Sequence, residues 1–497
     1  MEWEWQRAVC RPLSGPLGVP PGTVLFTLAL FASLPIGAGF RFIESPVLKN
    51  LYGLLAGTFL SVFAFGSATA SVFVFGAASY AAMAAHRKRC GAIVGVGAFA
   101  YLIYFHATSS SGEAWKAGNI DITGLLMVLT LKVTACALNY QDAAAPLDRL
   151  SDFQKRRAVT TLPNPLDYAA WLVFPCTLVV GPALEFRDYS DWLRGKGVWD
   201  KNHRNGGCPS VFVQAMKTAA YATFFMTIHL YVATIYTIDD TYLSPDWNSK
   251  PLWLKFWELH ILGQGSRGKY FFCWVWAEAA CVASGIGFSG HEEKKGAGEV
   301  ATTRVATWET GKNVRPMGVE TAATFVQIPH HWNIQTGKWL RHYVYDRSTP
   351  AGKKPGFRQL LLTQTVSGVW HGLYAGYWLF FVSSAVFIEG SKSVYRWQSK
   401  HWLFSRAPAS WLISLPHWLL ATVGLNYLCG AFMLVTFRQC VDAWASVYFL
   451  PHLIIVAMVI FGRVVNPKKK RDRGDASAKA NASGTVGVGA EEKKKAN

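Results

Sequence analysis

The chain has 497 residues, of which 51% are hydrophobic, 14% aromatic and 16% charged, and its formal net charge is +19. That is too apolar for an ordinary soluble protein and too long for one small domain. The charge does not point to nucleic acid: the basic residues cluster at the ends of apolar runs, as in HRKRC (His86–Cys90) and NPKKKRDR (Asn466–Arg473), where they mark the cytosolic side and meet anionic headgroups.

In chain order, MEWEWQRAVCRPLSG lacks the basic-then-apolar order of a cleaved signal. Uncharged runs then begin near Thr23, Leu51, Thr69, Gly91 and Ile122. The shorter segment Ala169–Leu184 contains Pro175 and Pro182 and reads as re-entrant or broken. Thr218–Ile238 is long enough to cross a bilayer, and further candidates begin near Tyr270, Leu373, Trp411 and Val441. The pattern predicts an all-α polytopic membrane protein of roughly ten or eleven transmembrane or re-entrant helices. Two polar loops interrupt it, Ser190–Ser210 and Ser289–Glu320, and the second reads as a flexible surface connection without apolar period. The nine cysteines show no CxxC pair and no metal-like spacing with histidine, so buried free thiols are expected and no metal. No internal repeat is visible.

The membrane-embedded domain is placed at residues 1–464, and residues 465–497 form a disordered basic tail. Lys494 and Lys495 stand fourth and third from the end, as in a dilysine retrieval signal read by a cytosolic receptor. The sequon Asn481-Ala482-Ser483 would require the lumen instead, and the run KKKRDR sides with the cytosol. The expected location is the endoplasmic reticulum membrane with a cytosolic tail.

Two segments carry chemistry. In VSGVWHGLYAGYWLFF (Val366–Phe381), His371 stands alone in an apolar, aromatic run. Read as one helix, its neighbours on the same side are Ser367, Gly368, Tyr374 and Ala375, and Gly368, Gly372 and Gly376 form a stripe. The plain reading is close helix packing with a histidine bonded to a neighbouring helix; the sharper one is room around an imidazole. Upstream, QIPHHWNIQTGKWLRHYVYDR (Gln327–Arg347) reads as an amphipathic helix after Pro329. Trp332, Trp339, Leu340 and Tyr343 lie on one side, Lys338, Arg341 and Tyr345 on another. Asn333 lies beside the aromatic face, where a buried amide needs a partner or a ligand.

Acyl transfer from a thioester to a lipid hydroxyl fits these groups. A neutral imidazole at His371 accepts the alcohol proton, and Asn333 donates to the oxyanion. Lys338, Arg341 and Arg347 meet the phosphates of coenzyme A. Ser367 as an acylated nucleophile is less favoured, since nothing else marks it. The sequence has no HExxH, no GxSxG, no P-loop and no histidine followed five positions later by aspartate.

Together, WNIQTGKWLRHYVYDR and SGVWHGLYAGY resemble the signature of the membrane-bound O-acyltransferase family, in its lysophospholipid acyltransferase branch. LKVTACALNYQD (Leu131–Asp142), VVGPALEFRDYSDWL (Val179–Leu193) and KYFFCWVWAEAACVASGIGFSG (Lys269–Gly290) agree in order. The resemblance implies a helical bundle enclosing a reaction chamber. Acyl-CoA enters as co-substrate from the cytosolic side, and no other cofactor is required. His371 and Asn333 fall on the family's histidine and asparagine. The implied reaction is direct transfer of an unsaturated acyl chain to the sn-2 hydroxyl of a lysophospholipid, with lysophosphatidylcholine as the expected acceptor. Trp332, Trp370, Tyr374 and Tyr377 are candidates for the acyl path, and Asp142, Glu185 and Glu278 for a polar wall. Packing or helix-to-helix bonding is the plain alternative for each. Many relatives carry proline where this chain has Ala375, which predicts a straighter helix after His371.

Two rival functions are weaker. A diacylglycerol or sterol acyltransferase would carry a different asparagine motif. A transporter should show internal symmetry and a charged site at the midplane, for which Glu278 is the main candidate.

Overall fold

The computed structural model describes residues 4–109, 120–200, 208–295, 302–350, 352–398, 400 and 409–465. The sequon and the dilysine pair lie outside the described residues.

The protein is mostly helical. Proline at the first helical position, which forfeits no hydrogen bond, opens α1 (Pro21–Gly39) and α2 (Pro46–Phe65). A short 3-10 turn links α2 to α3 (Ala70–Ala85), and α4 (Cys90–Thr108) pairs with α5 (Thr123–Asp142). The chain then dives through α6 (Pro165–Leu172), capped by the Asn164 side chain on the Leu166 amide at 2.9 Å. A break at Val173–Phe174 and the turn Pro175–Leu178 follow, all of it buried. This is the broken segment that its prolines predict. α7 (Phe212–Ala233) and the long α8 (Leu252–Ser284) lie along one another, and α8 also packs on α1 and on α12 (Ala409–Leu434).

By length and composition five stretches qualify as membrane spans: Pro21–Phe42, Pro46–Ala85, Cys90–Thr108, Thr123–Asp142 and Ser414–Leu434. The pair α13 (Phe437–Ala445) and α14 (Leu450–Val465), bent by 80°, makes a sixth if counted as one. The protein is therefore polytopic, but this measure does not reach the expected ten or eleven. α7, α8 and α11 (Ala375–Gln398) have the length without the required apolarity. Large apolar side chains stand exposed along the outer helices, among them Leu55, Val74, Val96, Phe224 and Ile460. Lipid, not water, is the solvent that accounts for such a surface.

The loop Ser289–Glu320 is not a loose connection. Gly290–Lys295 (β1) and Thr302–Thr307 (β2) pair as an antiparallel hairpin, Gly290 opposite Thr307. The segment after it buries Trp308, Asn313, Val314 and Val319. It is pinned to α8 by ion pairs, Lys312 to Glu278 at 3.3 Å and Glu320 to Arg267 at 2.8 Å. Hairpin pairing and single anchor residues leave no helical period in the sequence, which is why the order was invisible there.

Candidate functional site

His371 is the last residue of α10 (Phe357–His371). The expected continuous helix through it is overturned. Gly372 has φ +136° and ψ −174°, a conformation that L side chains rarely adopt, and the next helix starts at Ala375. The glycine stripe therefore divides into unlike parts. Gly372 ends a helix; Gly376 lets α11 touch α12, where an added Cβ would overlap the Ala431 carbonyl; Gly368 meets only ordinary contact with Phe381. The predicted straightening at Ala375 also falls away. That residue opens α11, and proline at a first helical position would not kink it.

The imidazole of His371 is enclosed by aromatic rings. Its centroid lies 4.6 Å from Trp370, 4.8 Å from Phe381, 5.1 Å from Phe432 and 6.3 Å from Tyr377. It sits deep in the protein yet keeps accessible surface, so it faces an internal space. Neither ring nitrogen has a hydrogen-bond partner among the described residues. The structural part that a membrane histidine often plays falls to His106 instead, whose Nε2 lies 3.1 Å from the Trp370 carbonyl. Trp370 points away, its indole N–H donating to the Met127 carbonyl at 2.8 Å.

Asn333 sits at the other side of the break in its own segment. The predicted single helix is three pieces: Ile328–His331, α9 (Ile334–Trp339) and a π-helical turn over Leu340–Tyr345. Trp332 thus leaves the face of Trp339 and Tyr343. It packs against Tyr270, Phe271 and Trp274 with ring centroids 4.9–5.7 Å apart. Asn333 is left-handed, φ +46° and ψ +54°, and does not cap α9 with its side chain. Asn313 caps it instead: its carbonyl accepts from the Ile334 amide at 2.7 Å and its Oδ1 from the Gln335 amide at 3.0 Å. The Asn313 amide also donates to Asn333 Oδ1 at 3.1 Å. That contact fixes the flip of Asn333, and its Nδ2 donates to no described residue. Nothing in the sequence singled out Asn313.

Tyr377 and Tyr270 bridge the two halves. Tyr377 lies beside His371 and within electrostatic reach of Tyr270, which packs on Trp332 next to Asn333. Tyr374 stands at the same rim, its ring 6.1 Å from Tyr377. His371, Tyr374 and Tyr377 therefore form one group and Asn333 and Trp332 another, with Tyr270 between them.

The acidic candidates lie elsewhere. Asp142 accepts from both Arg347 guanidinium nitrogens at 3.2 and 2.5 Å and from Gln154 at 2.9 Å. Glu185 accepts from the Tyr343 hydroxyl at 2.9 Å and the Asn139 amide at 3.0 Å. Glu278 lines a cleft of 510 Å³ between α7 and α8, with Lys217, Lys312 and Arg315. Lys338 and Arg341 are exposed. Arg341 pairs with Asp346 at 2.9 Å over the Tyr345 ring.

A further residue escaped notice. Lys132, fully buried in α5, donates to the Trp171 and Leu172 carbonyls at 2.6 and 3.1 Å, closing the broken end of α6. A lone lysine in LLMVLTLKVTACAL was a readable signal. All nine cysteines are free, six of them buried, as their apolar setting predicts.

Residues 109–434 match the family model of the membrane-bound O-acyltransferases. The chain is 37% identical to lysophospholipid acyltransferase 1 of Arabidopsis thaliana over 93% of this chain and 98% of that protein. It is 30% identical to the lysophospholipid acyltransferase of Schizosaccharomyces pombe over 71% and 69%. With mouse membrane-bound glycerophospholipid O-acyltransferase 1 the identity is 25% over 91% and 92%. A family match over this much of the sequence, with a relative 37% identical over 93% of it, shows that the chain belongs to the membrane-bound O-acyltransferase family.

Proposed function

We propose that this protein transfers the acyl group of acyl-CoA to the free sn-2 hydroxyl of a lysophospholipid, lysophosphatidylcholine foremost. The observation that carries the reading is His371: an imidazole without a hydrogen-bond partner among the described residues, set among the rings of Trp370, Phe381 and Phe432. The relatives' names support the substrate class.

In this scheme a His371 ring nitrogen takes the hydroxyl proton as the hydroxyl oxygen attacks the thioester carbonyl. Asn333 Nδ2 donates to the oxyanion of the tetrahedral intermediate. Collapse breaks the C–S bond, and the imidazolium returns its proton to the departing thiolate, giving coenzyme A and a diacyl phospholipid. Trp332, Tyr374 and Tyr377 wall the space around the acyl chain. Lys338 and Arg341, at the protein surface, meet the coenzyme's phosphates. Residues 1–464 form the enzyme, and the tail carries the dilysine address Lys494–Lys495 on the cytosolic side of the endoplasmic reticulum.

The test is expression in cells stripped of their own lysophospholipid acyltransferases, with a mixture of lysophospholipids and acyl-CoAs supplied to their membranes. New diacyl phospholipids are expected, phosphatidylcholine first. Every lysolipid left untouched would sink the reading.

A further inference from the structure

From Glu258 to Ser284, α8 is buried or half-buried at every residue but one, and that one is Lys269. Ser266, Lys269, Tyr270 and Cys273 recur at i, i+3, i+4 and i+7, one face of the helix, and all keep accessible surface. That surface lies on a helix wrapped by α1, α7 and α12. The face therefore borders an internal space, and the neighbours of Tyr270 say which one. Its ring packs on Trp332, and it lies near Tyr377 and near Cys429 of α12. Tyr377 and Phe432 in turn flank His371.

The Lys269 ammonium stands 5.5 Å over the Tyr270 ring, and no carboxylate among the described residues pairs with it. Three other enclosed cations are matched: Arg267 with Glu320, Lys312 with Glu278, Lys132 with two carbonyls. A cation left unmatched in the interior of a membrane protein, on a cavity wall, awaits an anion.

We propose that Lys269 binds the phosphate of the lysophospholipid acceptor and so sets the enzyme's preference for phosphorylated acceptors. The assignment rests on the acyl-transfer reading and adds the residue that recognises the acceptor. Phosphate is the chemistry in common between the two substrates, and the geometry favours the acceptor. Its phosphate is esterified to the carbon next to the one bearing the reacting hydroxyl, so an anion site on the wall that Tyr270 shares with Trp332, the neighbour of Asn333, suits that phosphate. The pyrophosphate of acyl-CoA stands a whole pantetheine arm away from the thioester.

The experiment compares wild type, Lys269→Met and Lys269→Arg in membranes, varying 1-acyl-lysophosphatidylcholine at saturating oleoyl-CoA and then the reverse. The methionine variant is expected to raise KM for the lysolipid about tenfold or more, as loss of a charge-assisted bond does, and to leave KM for oleoyl-CoA within about twofold. Arginine recovers most of the loss. If the methionine variant is inactive, thermal stabilisation of the purified protein by each substrate gives the answer. Stabilisation by lysolipid is lost and that by oleoyl-CoA is kept. A raised KM or lost stabilisation for oleoyl-CoA instead, or no change in either, overturns the proposal. Wild type inert on every lysolipid would overturn the acyl-transfer reading, a distinguishable failure.

Discussion

At the scale of single residues, the site depends on one amide holding another. Asn313 contacts no reacting atom in the proposed scheme, but its Nδ2 fixes which end of Asn333 is free to donate. Asn313→Asp keeps the oxygen that caps Gln335 and removes the donor. We predict roughly a tenfold fall in kcat, about 1.4 kcal/mol, with KM for both substrates little changed and the folded protein retained on size exclusion. A kcat equal to wild type would show that Asn333 needs no such anchor. His371 and Asn333 were legible because each is a polar group out of place, one in an apolar run and one beside an aromatic face. Asn313 was not legible: its partner lies 20 positions away across a loop with no period. The same limit hid Arg347, read as a phosphate ligand and found on Asp142.

At the scale of elements, helix breaks place the groups. Gly372 ends α10 in a conformation nearly closed to other residues, and a Cβ there would stand 3.2 Å from the Tyr377 ring. Gly372→Ala should destabilise the protein by about 1–3 kcal/mol, seen as a lower melting temperature in detergent, and should cut activity more than expression. An unchanged melting temperature would mean the break tolerates a side chain. Lys132→Met removes the ammonium from the Trp171 and Leu172 carbonyls at the end of α6, leaving the first to the Phe174 amide alone. The cost is about 1–3 kcal/mol, read by the same melt, and an unchanged melting temperature would show that those carbonyls need no ammonium. Periodicity found the helices but not these breaks. Spacing cannot tell a glycine that ends a helix from one that lets two helices touch, and residues 368, 372 and 376 include both kinds.

At the scale of the molecule, composition alone established a membrane protein, and the exposed apolar surface agrees. The number of crossings was less legible, because a run of apolar residues reads alike whether it crosses, bends back as at Val173–Phe174, or joins its neighbour as α2 joins α3. The dilysine address makes its own prediction: Lys494→Ser with Lys495→Ser should move a tagged protein from the endoplasmic reticulum to later compartments, scored by microscopy, and an unmoved protein would reject that signal. The whole account turns on His371 as the base. The most direct measurement is lysophosphatidylcholine acylation by wild type and His371→Ala, at matched expression and matched melting temperature, in membranes without other acyltransferases. The account predicts product from wild type and a loss of at least about a hundredfold in the variant. Equal rates from the two would contradict it, and leave the histidine a packing residue.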